Sequence, residues 1–338
     1  MTPRLWHRRG ATINGTMDFL LVAGGLVLLF LGGEFLVRGA VALAQRLGIS
    51  TLVIALTVVA FGTSSPELIV SVGAALRGVP ELAIGNIVGS NIANILLVLG
   101  LPAIIAPLGT SGKSAGRDLA LIFAASILVT ILSWNQVISW WEGLSMVILL
   151  VAYLGWAYYA ARRDVAKARL YAEELEEFES NPQKTMLIVG LVVGGLAALF
   201  AGSTMLVEGA VNIARDIGIS EVVIGLTLVA FGTSLPELVT SFVALIRKHS
   251  DVAIGNVLGS NLFNLLGVGG ITAMVTPIPV PERLLVFDMP VMIGVLIILS
   301  PFIFWRVRFG RLFGVAFMTG YGMYIWLQFS GFSGMAAQ

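Results

Sequence analysis

The stretches 57-TVVAFGTSSPEL-68 and 227-TLVAFGTSLPEL-238 decide how this chain folds. Across residues 59–68 and 229–238, nine of ten positions are identical at a constant offset of 170 (237 against 67). Each copy drops a carboxylate, Glu67 or Glu237, into an apolar stretch long enough to span a bilayer. An ionisable group at that depth is costly to bury, so its default reading is a functional ion site. Pro66 has no backbone N–H, which deprives the Gly62 carbonyl of its helical partner and disrupts the preceding turn. Broken backbone at membrane depth is tolerated where it is packed in protein or lines a polar cavity. Free carbonyls, a threonine, a serine and a carboxylate within one turn are oxygen ligands for a hard cation.

Composition narrows the class. Of 338 residues 57% are hydrophobic and only 12% charged, which excludes an ordinary soluble protein and points to a polytopic membrane protein. A net charge of +1 says nothing about nucleic acid, and no basic-aromatic cluster suggests it as a partner. There is no cysteine, so disulfides, thiolate metal sites and cysteine nucleophiles are ruled out. The two histidines, His7 and His249, are a poor supply for zinc or for base catalysis. No enzyme chemistry, cofactor or obligate protein partner is indicated.

Apolar runs fall near 18–45, 51–76, 82–107, 118–135 and 140–161, and again near 186–213, 221–246, 252–276, 284–304 and 311–329. Ten spans are therefore expected. The duplication extends beyond the opening motif: 30–50 aligns with 200–220, and 83-AIGNIVGSNIAN-94 with 253-AIGNVLGSNLFN-264, still at offset 170. Two homologous sets of five spans must enter from opposite sides, because five is odd. The fold expected is an all-α polytopic membrane protein of ten helices in two inverted five-helix repeats, its site at the repeat interface near the midplane. The boundaries read as a basic N-terminal tail 1–16 without structural role, repeat 17–161, a charged connector 162–184 and repeat 185–338. A signal peptide is disfavoured, because the apolar stretch after the tail is too long. The connector reads as solvated, with room for a short surface helix.

With the N-terminus outside, thirteen Lys and Arg fall in inner loops against at most six outside, Arg38 being left out of both counts. That predicts both termini outside and 162–184 in the cytoplasm, in the cell (inner) membrane.

The residues around each glutamate have bland readings as well. Glu67 and Glu237 could be structural acids, yet the surrounding spans offer no Lys or Arg at matching depth. Thr63, Ser64, Thr233 and Ser234, three or four residues upstream, could be back-bonded hydroxyls, but their doubled context favours a ligand role. In GNxxGSNxxN, Ser90 and Asn94 share one helix face, as do Ser260 and Asn264, and are read as ligands. Asn86, Asn91, Asn256 and Asn261 are read as support for the broken helices. Gly85, Gly89, Gly255 and Gly259 form GxxxG patterns that also serve close packing. Glu34 faces Thr204 in the alignment, lacks the doubling and is taken as structural. Asp288 and Glu282 are expected at the membrane interface.

The two GTS-x-PE segments, each followed by GNxxGSNxxN, resemble the alpha repeats of the cation/calcium exchanger superfamily, and the resemblance covers nearly the whole chain. It implies antiport of Ca2+ against Na+ through one central site open to either side in turn. By motif position, Glu67 and Glu237 would hold Ca2+, helped by the backbone carbonyls of Thr63 and Thr233. Sodium positions would draw on Ser64, Ser90, Ser234 and Ser260 and on the backbone oxygens of Ala60 and Ala230, with Asn94 and Asn264 completing the centre. Some relatives carry an aspartate at one of those last two positions, whereas this chain has asparagine at both. Two central carboxylates balance one Ca2+ or two Na+. The connector is too short for the calcium-sensing domains of animal sodium/calcium exchangers. The nearest rival reading is Ca2+/H+ antiport on the same fold. A passive cation channel is less favoured, and an intramembrane hydrolase lacks both a histidine within a span and a GxSxG motif.

Overall fold

The computed structural model describes residues 8–109, 115–172, 185–216, 230–305 and 307–329. Helix α1 (Arg8–Leu47) is followed by α2 (Thr51–Thr63), α3 (Ser65–Leu76), α4 (Glu81–Ile105), α5 (Ala115–Leu132) and α6 (Trp140–Ala172). Then come α7 (Thr185–Asp216), a single turn Ala230–Thr233, α8 (Leu235–Ile246), α9 (Ser250–Val275), α10 (Leu284–Phe304) and α11 (Arg311–Phe329). The only ladder of more than one residue among the described residues is the two-residue antiparallel pairing of β1 (Val137–Ile138) with β2 (Ile278–Pro279).

Among the described residues seven helices are long and apolar enough to cross a membrane, or eight if the bent pair α2–α3 counts as one span. Of the ten spans expected, 221–246 lies partly outside the described residues. The last, α11, has the length but falls short in apolar character, because glycines, tyrosines and a glutamine dilute its face. Residues 8–16, assigned no structural role from composition, continue into α1, and α6 runs on through the start of the connector to Ala172.

The local signals that start and stop these helices are legible in the chain. At the end of α1, Gly48 takes φ +67 while Ile49 N–H donates to the Ala44 carbonyl at 3.0 Å, the six-to-one bond of a glycine-terminated helix. Ser50 then caps α2 through the Val53 N–H.

The longest packed seam runs between α1 and α7. Gly25, Gly32 and Gly39 on α1, and Gly195, Gly202 and Gly209 on α7, recur every seven residues and sit at matching positions. A Cβ at Gly25 would stand 2.7 Å from the Gly202 carbonyl oxygen, and one at Gly32 the same distance from Leu199 N. Backbone therefore meets backbone, which only glycine permits. Helices α4 and α9 are the most buried spans, and α2, α3 and α8 pack around them.

Candidate functional site

The peptide bends by 40° between α2 and α3, and Ser64 sits at the break with φ −84 and ψ 4. Ser234 holds nearly the same angles, φ −86 and ψ 3, ahead of α8. Pro66 and Pro236 fall in the first turn after each break, where a missing N–H costs nothing. Glu67 and Glu237 follow directly, so each carboxylate stands at a helix N-terminus, the end that favours negative charge. Both are fully buried.

The repeats are stitched across one another here. Ser64 Oγ donates to Glu237 Oε1 at 3.0 Å, and Ser260 Oγ donates to the same oxygen at 3.3 Å. Thr63 Oγ1 donates to Asn256 Oδ1 at 3.1 Å and lies 3.4 Å from Ser260 Oγ. Thr233 and Ser234 stand beside Glu67, and the two glutamates lie within electrostatic reach of each other. Asn94 Nδ2 donates to Asn261 Oδ1 at 3.0 Å. Ser90 and Asn264 are buried as well. The Ala60 carbonyl accepts from Thr63 Oγ1 at 3.4 Å, while the backbone of Ala230 opens the turn before Ser234.

The supporting asparagines do what their spacing suggested. Asn86 Nδ2 donates to the Glu67 carbonyl at 3.4 Å and to Ser71 Oγ at 3.0 Å. Asn256 Nδ2 repeats this at the Glu237 carbonyl, 3.3 Å, and Ser241 Oγ, 3.2 Å. Asn91 reaches the Ile87 carbonyl and Asn261 the Asn91 carbonyl. Gly255 and Gly259 also pack closely, since a Cβ at Gly259 would lie 2.5 Å from the Leu56 carbonyl oxygen.

Several buried oxygens have no hydrogen-bond partner among the described residues: both of Glu67, Glu237 Oε2, Ser234 Oγ, Asn94 Oδ1 and Asn264 Oδ1. A buried acceptor left this way costs about 1–3 kcal/mol, and more when charged. Such a concentration on the two motifs suits a cation that takes six to eight oxygens. No third acid joins them, since the described residues hold no group of three or more His, Cys, Asp or Glu placed to bind a metal. The oxygens therefore divide into those of two carboxyl groups and those of neutral side chains.

The chain resembles known proteins along most of its length. The chain matches the family described as "Sodium/calcium exchanger protein" over residues 17–159 and 187–330. The chain belongs to that family. The family is one of exchangers, which are transporters and not enzymes. Among its relatives, a putative antiporter of Alkalimonas amylolytica is 39% identical, over 77% of this chain and 80% of the relative. A sodium/calcium exchanger of Methanosarcina acetivorans is 32% identical, over 90% and 97%. The solved sodium/calcium exchanger from Methanococcus jannaschii superposes with a TM-score of 0.79 at 31% identity, over 92% of this chain and 98% of that one. The chain is accordingly an integral membrane protein of several apolar helices.

Four features escaped the motif reading. Asp288 is buried within the protein, 7% exposed, and accepts from Tyr324 Oη at 2.8 Å and Gln328 Nε2 at 2.6 Å, while Glu282 is exposed. Asp118, its counterpart at offset 170, accepts from Tyr153 Oη at 3.2 Å, so the doubled spacing held that signal. Glu34 is ion-paired to Arg38 and Arg247. Asn94 opens a π-helical segment (Asn94–Leu99), and Asn264 lies in another (Phe263–Val268). Such wide turns favour functional sites because they re-aim side chains, and residue type alone does not announce them. The heptad glycines of α1 and α7 were visible in the chain as a doubled spacing.

Proposed function

We propose that this chain exchanges Ca2+ for Na+ across the membrane by alternating access at one site between Glu67 and Glu237. The observation that carries this reading is the pair of fully buried carboxylates at two matched helix breaks, with three of their four oxygens unpartnered among the described residues and the fourth bonded to Ser64 and Ser260. Two negative charges balance one Ca2+ or two Na+, so either cargo leaves the site neutral. Glu67 and Glu237 with the Thr63 and Thr233 carbonyls bind Ca2+. Ser64, Ser90, Ser234 and Ser260, with the Ala60 and Ala230 carbonyls, serve Na+, and Asn94 and Asn264 close the centre. The names of the sodium/calcium exchanger relatives support the choice of ions.

The architecture in this reading is ten spans in two inverted sets of five, 17–161 and 185–338. Both termini face outward, and 162–184 lies in the cytoplasm. The doubled breaks, asparagine bonds and glycine seam support it. A relative in Escherichia coli, 35% identical, is named an inner membrane protein, which supports placement in the cell membrane. The connector needs no calcium-sensing domain, and no protein partner is required.

Ca2+/H+ exchange on the same site is the second reading, favoured by one observation. Neither glutamate has a cationic partner among the described residues, so protons could replace Na+ as the neutralising charge. Ca2+ uptake into proteoliposomes under imposed Na+, K+ or H+ gradients in turn decides between them. Uptake driven by outward Na+ is expected. Uptake driven by a pH gradient alone overturns sodium coupling, and uptake without any counter-ion overturns exchange in favour of a channel.

A further inference from the structure

Helix α1 is fastened to α8 at one end. A Cβ at Gly33 would stand 3.1 Å from Val239 and 3.2 Å from Val243, so the two helices touch there. The next residue, Glu34, accepts a two-pronged hydrogen bond from Arg247 at the C-terminus of α8: Nε to Oε2 at 2.8 Å, and Nη2 to Oε1. Arg38, one turn along α1, reaches the same carboxylate at 2.5 Å. The Glu34 side chain is only 10% exposed, while those of Arg247 and Arg38 are 48% and 58% exposed. Separating α1 from α8 breaks the two-pronged bond and leaves this poorly solvated carboxylate with Arg38 alone.

Among the described residues the matching positions of the other half have no such device. Thr204 stands where Glu34 would, and its hydroxyl turns back to the Phe200 carbonyl at 2.9 Å. Glu208 replaces Arg38. Arg77 closes α3 as Arg247 closes α8, yet among the described residues Arg77 forms no ion pair. Helix α7 makes no comparable packing against α3, and the atoms nearest a Cβ at Gly73, the counterpart of Val243, belong to Arg77 on the same helix. The backbone differs too. Lys248, next to Arg247, holds φ 62, where its counterpart Gly78 takes φ 77 without strain.

We propose that the Glu34–Arg247 ion pair is a one-sided latch that holds α1, with α7 packed along it, shut against α8. The proposal rests on the alternating-access reading. A conformer with its passage open along α8 must part α1 from α8 and so break the pair, whereas the opposite opening, along α3, has no matching bond to break among the described residues. The latch therefore weights the equilibrium toward the conformer that opens along α3, which faces outward in the orientation given above.

The native chain has no cysteine, so single thiols report on each passage. Val243→Cys and Gly73→Cys are made separately in the full-length chain, each with and without Glu34→Gln, and reconstituted with defined orientation. A membrane-impermeant thiol reagent is then applied to either face. In the Glu34→Gln background the thiol at position 243 should react several-fold faster from the Arg247 side, and the thiol at 73 more slowly from the other. Arg247→Gln breaks the same pair from its half-exposed member and should reproduce both shifts. Unchanged rates at both positions in well-behaved protein overturn the latch. So does loss of monodisperse protein in both variants, which would make the pair a fixed structural tie. Labelling needs no transport: a parent that exchanges no ions refutes the proposed function, while the rates still judge the latch.

Discussion

Glu67→Gln tests the charge argument most directly. The substitution keeps shape and removes one of the two negative charges facing the cargo, from a carboxylate whose oxygens have no hydrogen-bond partner among the described residues. Breaking a buried charge pair by removing one member costs about 3–5 kcal/mol, or roughly 100- to 4,000-fold in affinity. The neutral oxygens of Ser234, Asn94 and Asn264 remain, so the lower end is the safer expectation. Ligand-induced thermal stabilisation reads this without transport. At a Ca2+ concentration of 100 times the parent Kd, the parent gains about 2.7 kcal/mol. A variant binding about 100-fold more weakly gains only about 0.4 kcal/mol at that concentration. In ion-free buffer the variant should melt no lower than the parent, because glutamine keeps the shape of the buried carboxyl group and brings no charge into the site. Ca2+/Na+ exchange in proteoliposomes should fall to background. A variant that keeps full Ca2+ stabilisation and near-normal exchange would refute the assignment of Glu67, and Glu237→Gln applies the same test to its partner.

Three further outcomes are expected. Ser64→Ala removes a 3.0 Å bond to Glu237 Oε1, and since hydrogen bonds to charged groups contribute about 1.5–3 kcal/mol, apparent Ca2+ affinity should drop about 10- to 100-fold. Ser65→Ala, which loses only a bond to the Phe61 carbonyl, should leave it unchanged; equal effects would detach Ser64 from the site. Gly32→Ala puts a Cβ 2.7 Å from Leu199 N, and such overpacking should cost about 1–3 kcal/mol. Gly294→Ala, where no described atom lies within 4 Å of the new Cβ, should be silent in the same melting assay. Single cysteines at Ser180 and Ser333, both outside the described residues, should label from opposite faces with an impermeant reagent. Labelling from one face would overturn the five-plus-five inversion.

The amino-acid sequence by itself determined the apolar helices, the two broken turns and the chemical character of the centre. Those rest on local properties: run length, the missing N–H of proline, and a carboxylate with hydroxyls three and four residues upstream. Repetition at offset 170 added what one copy could not, because a doubled glutamate is poorly explained as an isolated structural acid. It would also have exposed the Asp118–Asp288 pairing and the glycine heptads of α1 and α7, had every polar and every glycine position been aligned. The tertiary structure alone decided which half each hydroxyl serves. Ser64 lies three residues before Glu67 yet donates to Glu237, and Thr63 reaches Asn256, because helices from opposite halves cross at the breaks. Spacing along one helix says nothing about a neighbour 173 residues away. The placement of Asn94 and Asn264 in π-helical segments was hidden for a similar reason, since a widened turn forms where packing rewards it and not where a residue type demands it. The ion pair of Glu34 with Arg247 spans 213 residues and has no counterpart at matching positions among the described residues, so neither local pattern nor repeat could reveal it. It exists only because α1 lies against the end of α8.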